Sequence, residues 1–325
     1  MTFQPIDLER PGELIAGLHD AYVEAHSHYP GPLFSLPLFR RMVAIDRPGW
    51  RHELWVEPAE DGEVVGGYGL SLPQLDNTHM GSLFPLVVRP ARRGRGLGTA
   101  LFEHAVGRMR AHGRRLLLAE TPVTGVGARF ARARGMTVGI VETRRTLDLR
   151  KADWPALERM VPQVDGYSLE QWTGPARPEL LPDLAALMNG MNDAPRSADV
   201  EEQNFSLERV RSNEESILSG GETCYTTIAR RDADGAPAAF TRINLNADRS
   251  DGWGIQVDTM VLREHRGHRL GLLVKLANLL RLREREPHLE RIITWNATSN
   301  AHMLAINEAL GFELLDEWYE WQLPL

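Results

Sequence analysis

The chain contains an internal repeat. The segment Val87-Val88-Arg89-Pro90-Ala91-Arg92-Arg93-Gly94-Arg95-Gly96-Leu97-Gly98 returns as Met260-Val261-Leu262-Arg263-Glu264-His265-Arg266-Gly267-His268-Arg269-Leu270-Gly271, with Arg266 standing 173 positions after Arg93. A second pair of anchors, Phe130 to Met136 and Ile306 to Phe312, is displaced by 176 positions, counted from Gly135 to Gly311. Two anchors at nearly constant spacing mean that one supersecondary plan is used twice, so every motif has to be read in both settings. A length of 325 residues accommodates two domains of ordinary size.

Both halves predict the same order of elements. In the first, helical spacing over 11–25 precedes strands at 53–56 and 64–72 around the turn Glu60-Asp61-Gly62. A strand at 81–88, a helix from about 96 to 112, a strand at 115–120, a short helix ending at Gly135 and a strand at 139–149 follow. In the second, a strand at 167–172 and helices around 179–189 and 206–218 lead to strands at 223–230 and 238–245. A strand at 254–261, a helix at 270–284, a strand at 291–296, a helix at 301–310 and a strand at 312–322 complete it. Pro155 and Pro162 sit in a short polar connection, which predicts domains at 1–150 and 165–325 joined by a linker at 151–164.

Composition narrows the class. Apolar residues make up 42% and charged residues 25%, enough to bury a core in each half and far from a disordered chain. A formal charge of -7 argues against a general nucleic-acid binder, and the cluster Arg92, Arg93, Arg95 is interleaved with glycine. Cys224 is the single cysteine, so no intrachain disulfide can form; its strand setting predicts a buried thiol. Asp7 and Glu9 stand where a secretory peptide would have a basic start, and no run approaches eighteen apolar residues. A cytoplasmic protein without membrane contact is expected. Of 37 basic residues only Lys151 and Lys275 are lysine, a bias associated with GC-rich bacterial genomes. His19, His26 and His28 lack cysteine or spaced carboxylate partners, so no metal is expected.

A strand that runs into an Arg-rich, Gly-rich stretch opening a helix has a mechanical reading. Glycines let the backbone turn tightly, so that successive N–H groups and the helix N-terminus face an anion of pyrophosphate size. Gly94, Gly96 and Gly98 supply the small residues; Arg93 and Arg95 add charge-assisted donors. A P-loop would need Gly-Lys-Ser/Thr, present in neither copy. A dinucleotide loop would follow the first strand of a parallel unit, whereas this loop follows a run of hairpin-connected strands.

Arg/Gln-x-x-Gly-x-Gly/Ala after a strand ending Val-x-x-Pro, then a further strand and a helix closing on Gly-Phe, resembles the GNAT superfamily of acetyl-CoA-dependent N-acetyltransferases. Two copies over nearly the whole chain resemble its tandem members, among them mycothiol synthase-like proteins. The resemblance implies an α/β (α+β) architecture of two tandem domains, each a mixed, mostly antiparallel central sheet flanked by helices. It implies acetyl-CoA as cofactor and a small-molecule primary amine as partner, with the chain a monomer or homodimer. The pantetheine arm would pair with Leu86, Val87 and Val88, or with Thr259, Met260 and Val261. The diphosphate would lie on Arg93, Gly94, Arg95, Gly96, Leu97, Gly98 and Thr99, or on Arg266, Gly267, His268, Arg269, Leu270, Gly271 and Leu272. Arg93 to Gly98 match the family loop throughout; in the second copy Arg269 replaces the middle glycine. Asn296, Asn300 and Asn307 of the second copy match the family's late helix and are implied coenzyme contacts, and relatives of this type carry their chemistry in the second domain.

Direct attack by an amine needs a base, since an alkyl ammonium has a pKa of about 10. The candidates are Glu120, at the end of the fifth strand of the first half, and Asp258, within the fourth strand of the second; Asp76 and His79 lie just before the fourth strand of the first. The family's frequent acid is a tyrosine four residues before the late Gly-Phe, where this chain has Asn307 and Ala131. Tyr319 is then a candidate donor to the leaving thiolate. The missing tyrosines leave open a rival reading, a non-catalytic acyl-CoA sensor or scaffold. Trp295, Trp318 and Trp321 are expected in the core or a pocket wall.

Overall fold

The structure is a computed structural model and describes residues 3–44, 49–247 and 249–325. In chain order its elements are β1 (Gln4–Pro5), α1 (Gly12–His26), α2 (Leu36–Val43), β2 (Trp50–Pro58), β3 (Val64–Pro73), β4 (Met80–Val88), α3 (Leu97–Ala111), β5 (Leu116–Pro122), α4 (Gly125–Ala133) and β6 (Thr137–Asp148). There follow α5 (Trp154–Met160), β7 (Tyr167–Thr173), α6 (Leu181–Gly190), α7 (Leu207–Ser219), β8 (Glu222–Arg231), β9 (Pro237–Asn246), β10 (Trp253–Val261), α8 (Leu270–Arg285), β11 (Arg291–Ala297), α9 (Ala301–Ala309) and β12 (Glu313–Pro324). No helix among the described residues is long and apolar enough to cross a membrane.

The chain forms two compact units. The first holds Met1–Val141, Ser197–Glu201 and Trp318–Leu325; the second holds Glu142–Arg196 and Glu202–Glu317. These units depart from the contiguous domains 1–150 and 165–325 in the last strand of each half. Residues 142–148 of β6 pair antiparallel with β11 in the second unit, and Trp318 to Pro324 of β12 pair antiparallel with β5 in the first. The final strands of the two copies have similar pattern and length, so either could extend either sheet; the repeat in the sequence does not distinguish them. The burial of Trp321 in the first core and of Leu147 in the second shows which assignment the packing satisfies.

In the first unit the sheet order is β1-β2-β3-β4-β5-β12, and among the described residues only the β4–β5 pair is parallel. Leu101, Phe102, Ala105 and Met109 of α3 pack with Tyr68, Leu70, Leu117 and Trp321. Ile15, Leu18 and Tyr22 of α1, with Phe39 of α2, pack in a separate cluster with Leu54 and Val56. The second unit repeats this plan in the order β7-β8-β9-β10-β11-β6, with β10–β11 the only parallel pair among the described residues. Leu276, Leu279 and Leu282 of α8 bury against Ile292 and Leu147, while Leu184, Leu187 and Val210 of α6 and α7 bury against Ile228, Phe240 and Met260. Cys224 is buried in β8.

Two helices lie outside the sequence expectation. The stretch assigned as linker contains α5, started by Asp153, whose carboxylate accepts from the Ala156 N–H at 3.0 Å. Pro155 falls in its first turn, where a missing N–H costs nothing, and Leu157 enters the core of the second unit. The same arrangement, a Ser35 cap followed by a first-turn proline, starts α2.

Candidate active site

The second unit builds its site where its parallel pair comes apart. β10 and β11 pair from Trp253 opposite Arg291 to Gln256 opposite Thr294, and pairing ends there. At the same point the register between β10 and β9 shifts between Gln256 and Asp258, so Val257 is an extra residue in the ladder. A bulge of this kind bends its strand. Beyond it β10 and β11 flank a cavity of about 870 Å³, closed by the start of α8, the start of α9 and the turn that ends α6. Pockets of this size take small organic ligands.

The loop leading into α8 supplies the cavity with unpaired donors. Gly267 has φ +86° and Arg269, which caps α8, has φ +58°; in the first unit Gly94 and Gly96 have φ +77° and +84° ahead of α3. Arg269 thus takes the left-handed conformation of the glycine it replaces, and the turn survives the substitution. The first turn of each helix leaves N–H groups without an intrahelical acceptor. The first arginine of each loop locks it to the preceding strand: Arg266 Nε donates to the Val261 carbonyl at 3.3 Å, as Arg93 Nε does to Val88 at 3.0 Å. Arg266 also pairs with Asp193 at 2.8 Å, as does Arg263 at 2.9 Å, and these cations hold the Asp193 carboxyl below its ordinary range. Beside the loop, a Cβ on Gly271 would meet Ile306 at 3.3 Å and Val261 at 3.5 Å, while one on Gly267 would meet nothing within 4 Å.

Most second-copy residues singled out in the sequence meet here. Asp258 to Val261, Arg266, Gly267, Arg269 to Leu272, Asn296 and Asn300 line the cavity. His268 lies outside that lining, exposed and packed on Tyr167 at 5.6 Å. Asn307 is fully buried and donates to Asn296 Oδ1 at 2.7 Å, leaving its own Oδ1 without a partner. Asn300 caps α9 by accepting from the Met303 N–H at 3.3 Å.

The three candidate proton carriers fall in different units: Asp258 belongs to the second, Glu120 and Tyr319 to paired strands of the first. Asp258 lies in the wall of the second unit's cavity, half-buried, with burial pushing its carboxyl up, Arg242 opposing and Glu214 reinforcing the shift. Arg242 and Glu214 form an ion pair at 2.7 Å with both side chains 4% exposed. Glu120 lies exposed on β5 of the first unit, and Tyr319 lies on β12 of the same unit, opposite Thr121 and against Arg132. His79 is engaged with the Asp199 carbonyl at 2.8 Å in that unit. Trp295 lines the cavity, whereas Trp321 is core of the first unit.

Sequence reasoning missed three contributors. The turn from Gly190 to Pro195 walls the cavity; Gly190 approaches β10 so closely that a Cβ would meet Met260 Cε at 2.0 Å. Glu142 arrives from β6, a strand that the sequence places in the first half and the packing in the second unit. Lys275 is the third: a lysine on the apolar face of α8, 3% exposed, whose ammonium is pulled down to about 7 by burial. A cation inside a leucine stripe was the available signal.

The first unit has the same parting of strands, after Ser82 opposite Leu118, and a register shift between Tyr68 and Leu70. At the position of Asp258 it has Pro85, which has no N–H. At the position of Lys275 it has Phe102, set edge-on to Phe130 at 5.7 Å.

Known proteins match this arrangement. The model of the acetyltransferase (GNAT) family matches residues 16–136. A tandem GNAT protein from the clavulanic acid biosynthesis pathway is 31% identical, superposes with a TM-score of 0.85, and is matched over 99% of this chain and 98% of its own. The chain belongs to the GNAT acetyltransferase family. A GCN5-related N-acetyltransferase from Sphaerobacter thermophilus shares the fold at 15% identity and TM-score 0.69, over 99% of this chain and 95% of that one. Another from Anabaena variabilis does so at 12% and 0.54, over 99% and 72%. No curated protein matches the chain in sequence. As a tandem GNAT protein it is a member of an acyltransferase family whose general cosubstrate is acetyl-CoA. The residues present fit that cosubstrate: open space beyond Gly94, Gly96 and Gly267, unpaired helix N–H groups, and a free strand edge beside a cavity.

Proposed function

We propose that this GNAT protein moves an acetyl group from acetyl-CoA to a primary amine of a small molecule, in the cavity of its second unit, by direct attack of the amine on the thioester. The observation that carries this reading is the parting of β10 and β11 beyond Gln256 and Thr294, beside the N-terminus of α8. Thr259, Met260 and Val261 offer a strand edge to the pantetheine arm, and the turn from Gly267 to Gly271 offers donors to the diphosphate. Backbone N–H groups at the bulge polarise the thioester carbonyl and stabilise the oxyanion that develops on it. Asp258, its carboxyl raised above its ordinary range by burial, takes the ammonium proton directly or through water. Asn307, standing where the family often has tyrosine, cannot protonate the thiolate, which takes its proton from the attacking amine or from water. A small acceptor agrees with the cavity volume and with the biosynthetic pathway to which the 31% identical relative belongs.

The first unit keeps the complete loop and binds the coenzyme there, while Pro85 removes a donor at its bulge; chemistry is assigned to the second unit. Free thiol release from acetyl-CoA against a panel of amines tests the activity. Release with a primary amine, lowered about 10²- to 10⁴-fold in Asp258→Asn, supports it. Tight coenzyme binding without release against any amine favours the sensor or scaffold instead.

A further inference from the structure

Lys275 stands in the cavity wall with no charged or hydrogen-bonding partner among the described residues; its one contact of note is the Phe312 ring, 5.5 Å from Nζ. Its placement is unusual for this chain. Among 37 basic residues only two are lysine, the other being Lys151, whose side chain is 83% exposed beside Asp148. Arginine would carry its charge into any environment, because it does not lose its proton; lysine buried away from anions does lose it and becomes a nucleophile. The cavity shared by Lys275 also contains the diphosphate loop, the free edge of β10 and Thr294, where the strands part. In the first unit the corresponding Phe102 has no such chemistry.

We propose that Lys275 is a self-acylation site, taking one acetyl group from a thioester held in this cavity. The inference rests on the reading that the second unit binds acetyl-CoA. The Nζ lone pair forms a bond to the thioester carbonyl carbon, the carbon–sulfur bond breaks, and the surplus proton on nitrogen passes to the leaving thiolate. The products are N-acetyl-lysine and free coenzyme A thiol, with no further reactant consumed. Burial favours the neutral amine over the ammonium, since at about 7 the amine has lost much of its preference for a proton. It favours the amide further, because an amide cannot be protonated at neutral pH. An amide is also no acyl donor, so the step occurs once per chain and marks it, in contrast to the turnover proposed for the amine acceptor.

The test incubates the full chain with acetyl-CoA at neutral pH and reads intact mass and peptide maps, with desulfo-CoA binding followed in parallel by calorimetry on the chain and on Gly271→Trp. One added acetyl group mapped to Lys275, absent from Lys275→Arg and Lys275→Met and ahead of any label on Lys151, is the expected result. Two lysines make the mapping unambiguous. Desulfo-CoA binding that Gly271→Trp diminishes, with Lys275 unmodified, overturns self-acylation and leaves the coenzyme site standing. Label on Lys151 at the level of Lys275 overturns it too, as plain chemical acetylation. No desulfo-CoA binding sensitive to Gly271→Trp overturns both readings together.

Discussion

Asp258 stands opposite Arg242 in the ladder between β9 and β10, and the guanidinium of Arg242 is itself held by Glu214 at 2.7 Å. The cation nearest the candidate base is therefore already committed. Burial consequently outweighs Arg242 and moves the Asp258 carboxyl above its ordinary 3.8. A raised folded pKa contributes stability at low pH that is lost as pH rises through the folded value. Asp258→Asn should then raise the melting temperature at pH 7 while lowering kcat/KM about 10²- to 10⁴-fold. Its pH–rate profile should lose the acidic limb. Thermal melts and pH–rate profiles of the same preparation check both signs.

The Arg242–Glu214 pair makes a different demand. Removing one member of a buried pair leaves an uncompensated charge, which costs about 3–5 kcal/mol. Glu214→Ala should destabilise the second unit by that order, and the double variant Glu214→Leu, Arg242→Met by less than Glu214→Ala alone. Urea unfolding of the three chains measures it.

Lys275 sets a pH signature on stability. Its folded pKa of about 7 lies below the ordinary 10.5, so the unfolded chain binds the extra proton between those values. Stability should climb with pH across that window by up to about 1.4 kcal/mol per pH unit, with the penalty full below it and gone above. Lys275→Met should therefore stabilise most below pH 7 and least near pH 10.5. A melting series across that range reads the difference.

Much of this was legible in the sequence. The repeat and the 3.6 and 2.0 periodicities placed nearly every strand and helix of both units, because the elements that carry the cores are strongly patterned. The loops at Gly94 and Gly267 were legible because only residues tolerant of positive φ suit such turns, and Arg269 shows that glycine is not obligatory. Pairing between distant strands was not legible. β6 and β12 have similar patterns, so nothing local assigned Tyr319 to the first unit or Glu142 to the second. Lys275 was counted but not placed, since one cation in α8 says nothing of a cavity until β10 and β11 are seen to part.

The assignment of β12 to the first unit has its own consequence. Trp321 is 1% exposed among Tyr68, Leu70 and Leu117, and its indole N–H donates to Thr121 at 2.8 Å. Trp321→Ala should destabilise the first unit by about 3–5 kcal/mol, although the residue lies at the end of the second half of the sequence. Hydrogen exchange should report the loss in β3 and β5 and leave β8 and β9 protected.

Titrating acetyl-CoA into the chain and into Gly271→Trp shows whether the cavity at the parting of β10 and β11 holds the coenzyme. A Cβ there already meets Ile306 at 3.3 Å and Val261 at 3.5 Å, so an indole would crowd the cavity wall that Gly271 forms. Affinity at the second unit's site should fall about tenfold or more, with stability lowered by about 1–3 kcal/mol. An unchanged affinity and stoichiometry in a folded Gly271→Trp chain would mean that the coenzyme does not bind in this cavity.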